Sequence, residues 1–142
     1  MNETMRKFGW PASVVTELEH WAVLVRPAQP TLGSLVLAAR SDAIAFGDLP
    51  LAAHAELKEA TGAIEAALQL FTGYEKLNYL MLMMVDPHVH FHVIPRYEGR
   101  REWSGLTFAD AGWPAVPALS AATPLNDPQI AAMVEQLRAV WR

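Results

Sequence analysis

Asp86-Pro87-His88-Val89-His90-Phe91-His92-Val93-Ile94-Pro95-Arg96-Tyr97 is the stretch around which the chain is read, because three of its five histidines fall within five residues there. In an extended backbone successive side chains point to opposite faces. His88, His90 and His92 therefore line one face, and Val89, Phe91 and Val93 the other. The second face is core. The first gathers imidazoles that titrate near neutral pH, an arrangement that destabilises a fold unless the groups are put to use.

Two uses follow from the spacing. A strand rises about 3.3 Å per residue, so adjacent histidines stand roughly 6.6 Å apart and the outer pair about 13 Å apart. Zinc holds its nitrogens at about 2.0–2.1 Å, so one ion can be reached by an adjacent pair but not readily by all three. A two-histidine centre would draw further ligands from Asp86, His20 or His54. The second use lies at phosphorus. A neutral imidazole nitrogen attacks a phosphoryl group while the other ring nitrogen donates the hydrogen bond that fixes the tautomer. His90, with a neighbour on either side, is the natural nucleophile. No glycine-rich phosphate loop is present, so the histidine strand must itself supply much of the phosphate cradle.

The rest of the chain sets the frame. With 142 residues, 52% hydrophobic and 18% charged, it reads as one globular domain over 1–142, with a core over about 13–97 and a C-terminal extension over 98–142. A net charge of -4 argues against binding a nucleic-acid polymer, so a nucleotide would be held in a local site. The absence of cysteine removes thiolate nucleophiles and cysteine-based zinc sites. No apolar run is long enough to cross a membrane and no apolar leader follows Arg6 and Lys7. The expectation is a soluble, cytoplasmic protein without membrane contact.

Residues 1–12 read as an irregular lead-in. Val14–Leu18, Trp21–Arg26 and Gly33–Ala38 read as strands of a meander. Asp48 is placed as the cap of a long helix with Pro50 in its first turn. Leu57, Ala60, Ile64, Ala67, Leu68 and Phe71 form its apolar stripe, and Gly73 closes it. His54 lies off the stripe, at the surface. Lys76–Val85 is apolar on both faces and reads as an interior strand, or one sealed by a partner chain. Residues 98–125 read as a long loop in which Trp103, Phe108 and Trp113 pack over the site or at a subunit boundary. Asn126 or Asp127 then caps a last helix with Ile130, Met133, Val134, Leu137 and Trp141 on one face.

The run His88-Val89-His90-Phe91-His92-Val93-Ile94 resembles the histidine triad (HIT) pattern of hydrolases and nucleotidyl transferases, and Pro95-Arg96 resembles the dinucleoside polyphosphate hydrolase branch. The resemblance spans about residues 13–97. It implies an α+β fold: an antiparallel five-stranded sheet with one long helix packed on it and a C-terminal helix, usually in a homodimer with a sheet continuous across the interface. It implies that His90 attacks an α-phosphate to give a nucleotidyl-histidine intermediate, that His88 orients the site, and that His92 contacts phosphate or the departing group. Arg26, Asp86, Arg96 and Trp103 are the candidate substrate-binding residues. No cofactor or resident metal is required, and a divalent cation such as magnesium can accompany the substrate.

The chain departs from that pattern in two places. Where the family carries glycine and a Gln-Ser or Gln-Thr pair ahead of the triad, this chain reads Met83-Met84-Val85-Asp86-Pro87. Where the family has asparagine seven residues before a Pro-Gly-His glycine, Arg26 stands before Gly33, and Ser34 replaces the histidine. The leading expectation is hydrolysis of a nucleoside phosphoanhydride, phosphoester or phosphoramidate. The alternatives are a catalytically weak nucleotide-binding or interaction protein, and a metal-dependent hydrolase using two of the histidines.

Overall fold

The computed structural model describes residues 2–142; Met1, the first residue of the expected lead-in, lies outside the described residues. Along the chain run α1 (Glu3–Lys7), β1 (Val14–Glu17), β2 (Trp21–Val25), β3 (Ala28–Gln29), β4 (Leu35–Ala39), α2 (Leu51–Thr72), β5 (Lys76–Leu80), β6 (His90–Arg96), β7 (Arg100–Trp103), β8 (Leu106–Ala109), β9 (Thr123–Pro124) and α3 (Asp127–Val140). Five of the strands form one antiparallel sheet in the order β1-β2-β4-β6-β5, and β3 with β9 and β7 with β8 form two small ladders. The expected α+β architecture, with its sheet, long helix and C-terminal helix, is the one observed.

Strand alternation divides the core in two. Trp21, Val23 and Val25 of β2, Leu35 and Leu37 of β4 and Val93 of β6 face Ala60, Ile64 and Leu68 of α2 and Met133 and Leu137 of α3. Ala22, Leu24, Val36 and Ala38 point the other way and are covered by Met5 and Phe8 from the amino-terminal segment. His90 and His92 alternate with Phe91 and Val93 and so lie on that second side. Pairing sets Ala38 opposite His90 and Val36 opposite His92.

Gly33 sits at φ +88 in the turn into β4, where an added Cβ would come within 2.7 Å of the Thr72 methyl at the end of α2. That close approach, rather than the turn alone, excludes a side chain.

Several expectations are corrected. Residues 3–7 are helical: the Asn2 side chain accepts from the Met5 N–H, with Glu3 in the first turn and Arg6 and Lys7 in the last. The Asn2 amide also donates to Ala39 O and Ser41 O, which fastens this short helix to the sheet. Asp48 does not cap α2. It ends a 3-10 turn (Phe46–Asp48), and extended Pro50 occupies the cap position. The run 76–85 is neither interior nor a strand throughout. β5 is the sheet edge and stops at Leu80, opposite His92, while β6 runs on to His90 against β4; Met83 then turns at φ +45.

Residues 98–125 are not a plain loop. β7 and β8 form a hairpin through Ser104 and Gly105, both at positive φ, as a two-residue turn between right-twisted strands requires. The last helix starts on Asn126, whose side chain and that of Gln129 cap each other's backbone N–H groups.

Candidate active site

The triad is less regular than strict alternation requires. β6 begins at His90, and residues 86–88 lie in a bend where Pro87 has no N–H to offer a neighbour. His88 therefore leaves the row. Its half-buried ring turns to α1, with Nδ1 3.0 Å from Thr4 Oγ1, and its backbone carbonyl rather than its imidazole reaches His90. His90 and His92 remain together, ring centroids 5.0 Å apart and nearly perpendicular. Phe8 packs against both, at 5.6 and 5.7 Å.

The two rings are held by unlike partners. His90 Nδ1 lies 2.7 Å from His88 O. A carbonyl only accepts, so Nδ1 carries a proton, and in the neutral tautomer this leaves the lone pair on Nε2. His92 Nδ1 faces Arg26 Nε at 3.4 Å. Arg26 continues the Ala22, Leu24 side of β2 just past the strand end, where its N–H meets Ser34 O. Its side chain also donates to Ala28 O. Gln29 staples this turn: its amide nitrogen donates to Arg26 O and Ser34 O, and its amide oxygen accepts from Gly33 and Ser34. Burial lowers the Arg26 guanidinium from its usual range. Burial chiefly, then the neighbouring His90 and Arg26, pushes His92 down to about 4, with Asp86 opposing. At neutral pH His92 is uncharged.

Around these rings lies a cavity of about 250 Å³. Its wall combines Lys7 and Phe8 from the amino-terminal segment, Arg26, the apolar run Leu82–Val85, Asp86, and both histidines. Asp86 does not extend the strand face. It pairs with Lys7 at 3.1 Å, linking α1 to the bend before β6. Lys7, Phe8 and Thr4 are the residues that sequence reasoning missed, and the signal for them was present: Asn2 as a cap, followed by an acidic then a basic turn.

Two candidates fall outside the cavity. Arg96 is consumed by a buried network, with Nε 2.6 Å and Nη2 3.1 Å from the Asp110 carboxylate, Nη1 2.7 Å from Asn78 Oδ1, and Nη2 2.7 Å from Ala115 O. It braces the fold here, with four of its five N–H donors occupied by protein. Trp103 ends β7, and its indole N–H donates to Gln136 Oε1 of α3 at 2.7 Å. The hairpin turn carries it away from the triad.

The remaining histidines do not join the triad either. His20 groups with Glu19 and Glu56, their ligand atoms within 4.8 Å of one another, and shares no residue with the cavity. His54 packs edge-on against Phe46 at 4.7 Å. A larger groove of about 720 Å³ runs along α2 to Trp141 and contains no histidine. Among the described residues no helix is long and apolar enough to cross a membrane.

This arrangement of sheet, helices and histidines is the histidine triad fold. No protein-family model matches the sequence, and no curated protein does. Solved structures do match. The chain is similar to a histidine triad protein from Bradyrhizobium japonicum, with 24% identity, 100% of this chain and 97% of that chain covered, and a TM-score of 0.74. It is similar to a histidine triad protein from Sinorhizobium meliloti, with 22% identity, 99% and 95% covered, and a TM-score of 0.76. A diadenosine triphosphate hydrolase from Plasmodium falciparum shares the fold at 10% identity, with 91% and 76% covered and a TM-score of 0.67.

Proposed function

We propose that the chain is a histidine triad nucleotide hydrolase in which His90 Nε2 attacks the α-phosphorus of a nucleoside phosphoanhydride, phosphoester or phosphoramidate. The observation that carries this reading is the 2.7 Å contact between His90 Nδ1 and His88 O. A ring whose proton is held on the far nitrogen by a carbonyl has its lone pair free for attack. As the Nε2–P bond forms and the bond to the leaving group breaks, the ring becomes cationic, and the same carbonyl stabilises the charge. Water then attacks phosphorus and releases the nucleotide from Nε2. Lys7 is a cation at the cavity wall and opposes the charge of phosphate oxygens.

The fold shared with a diadenosine triphosphate hydrolase supports the same chemistry. In this reading the enzyme works as a cytoplasmic homodimer without a resident cofactor, and a divalent cation such as magnesium can accompany the substrate.

His90→Ala tests the reading. It is expected to fold, to lose turnover by at least about a hundredfold, and to take up no label from nucleotide bearing radioactive α-phosphate. An active His90→Ala enzyme would overturn it. Calorimetric binding of nucleotides by the wild type, with no turnover across a broad panel, would replace it with a nucleotide-binding protein.

A further inference from the structure

His90 and His92 sit side by side on β6, yet their Nδ1 atoms meet opposite chemistry. His90 Nδ1 meets an acceptor, the His88 carbonyl at 2.7 Å. His92 Nδ1 meets a donor, the Arg26 Nε–H at 3.4 Å. A guanidinium never accepts, so His92 Nδ1 must offer its lone pair, and the single proton of the neutral ring resides on Nε2. Neither Nε2 has a hydrogen-bond partner among the described residues, while no buried side-chain nitrogen or oxygen there lacks one. Both Nε2 atoms are therefore open to the cavity, His90 presenting a lone pair and His92 an N–H.

We propose that Arg26 is a positioning residue that acts through His92, fixing its tautomer so that a neutral Nε2–H donor stands beside the His90 nucleophile. The proposal rests on the function proposed above and assigns Arg26 a task other than gripping phosphate. The lone pair of one ring meets phosphorus while the N–H of the next meets a non-bridging oxygen of the same group. A donor whose orientation is set before the substrate arrives costs no reorganisation during the reaction.

The environment of His92 agrees. The charged or titratable groups facing it are His90 on its own strand, Arg26 beyond β2 and Asp86 before β6, with Lys7 of α1 across the cavity bound to Asp86. Two of its three direct neighbours disfavour a proton there, and burial disfavours it most. The Gln29 staple holds the Arg26 backbone in place for this contact.

Nitrogen-15 NMR of the imidazoles at pH 7 tests the proposal on the free protein. In the wild type His92 is expected to carry its proton on Nε2 and His90 on Nδ1. In Arg26→Met, His92 is expected to shift to a mixture of tautomers and to titrate nearer the ordinary histidine range. In turnover, Arg26→Met is expected to lower kcat by about tenfold or more while KM stays within about threefold, the signature of an interaction used in the transition state.

A wild-type His92 protonated on Nδ1, or a His92 unchanged in Arg26→Met, would overturn the proposal. So would a loss confined to KM, which would mark Arg26 as a plain phosphate contact. If Arg26→Met does not fold, the wild-type tautomers alone decide. Absence of any His90 labelling, with both tautomers as stated, would sink the hydrolase reading and leave the Arg26–His92 pairing intact.

Discussion

His92 shows at the scale of one residue how a fold can decide a protonation state. The isolated side chain has a value of 6.5, and the folded protein lowers it to about 4 through burial first and the His90 and Arg26 neighbours next. Because the folded value is depressed, the unfolded chain takes up a proton below about pH 6.5 that the native state refuses until about pH 4. Stability is thus fully present above 6.5 and is lost as pH falls towards 4. The loss amounts to about 2 kcal/mol once screening by water in the open cavity is allowed for. Urea unfolding at pH 7 and pH 4.5 should show the wild type losing more stability than His92→Gln by about that amount. Parallel losses in the two proteins would contradict the assignment.

The sequence carried the identity of this residue but not its state. Alternation placed His92 beside His90, whereas the donor at Nδ1 comes from Arg26, 66 positions away and brought near only by β2, β4 and β6 pairing. His88 departs from the regular row for a local reason: past Pro87 its ring turns to Thr4 while its backbone carbonyl meets His90.

At the scale of elements, β6 does two jobs along one face. Its start holds the His90 and His92 rings and its end holds Arg96, which ties β6 to Asn78 of β5, to Asp110 just past β8 and to the Ala115 carbonyl. Family pattern alone made Arg96 look like part of the site, and nothing local told it apart, because its partner Asp110 follows a hairpin that was read as loop. The Ser104-Gly105 pair between Trp103 and Leu106 was a legible hairpin signal.

Replacing Arg96 with methionine leaves Asp110, whose side chain is 1% exposed, as a buried charge without its cation. The expected cost is about 3–5 kcal/mol in urea unfolding. KM of the folded fraction should stay within about twofold. A variant of normal stability with a much raised KM would return Arg96 to the substrate.

At the scale of the molecule, the sheet is finished on one side and open on the other. β1 at one edge is shielded by α3, whose Arg138 donates to Val14 O and Val15 O. β5 at the opposite edge has no strand beyond it. Edge strands are ordinarily guarded by charge, proline or a bulge. β5 carries Lys76 at its start and runs into a loop where Met84 and Val85 are 83% and 80% exposed. The apolarity of 76–85 that suggested an interior strand is thus real: Leu77, Tyr79, Met81 and Met83 pack on the core, while Met84 and Val85 stay exposed.

A second copy that pairs β5 with β5 would extend the antiparallel ladder and cover this loop. Such an interface needs about 1,000 Å² or more, so the apolar loop has to contribute. Sedimentation velocity should return a species of twice the 15.7 kDa chain mass. A double variant, Met84→Asp with Val85→Asp, should shift the population towards the single chain while far-UV circular dichroism stays unchanged. A wild type that sediments as a single chain at every concentration, or a double variant as dimeric as the wild type, would refute this assembly and leave the apolar lip to face substrate alone.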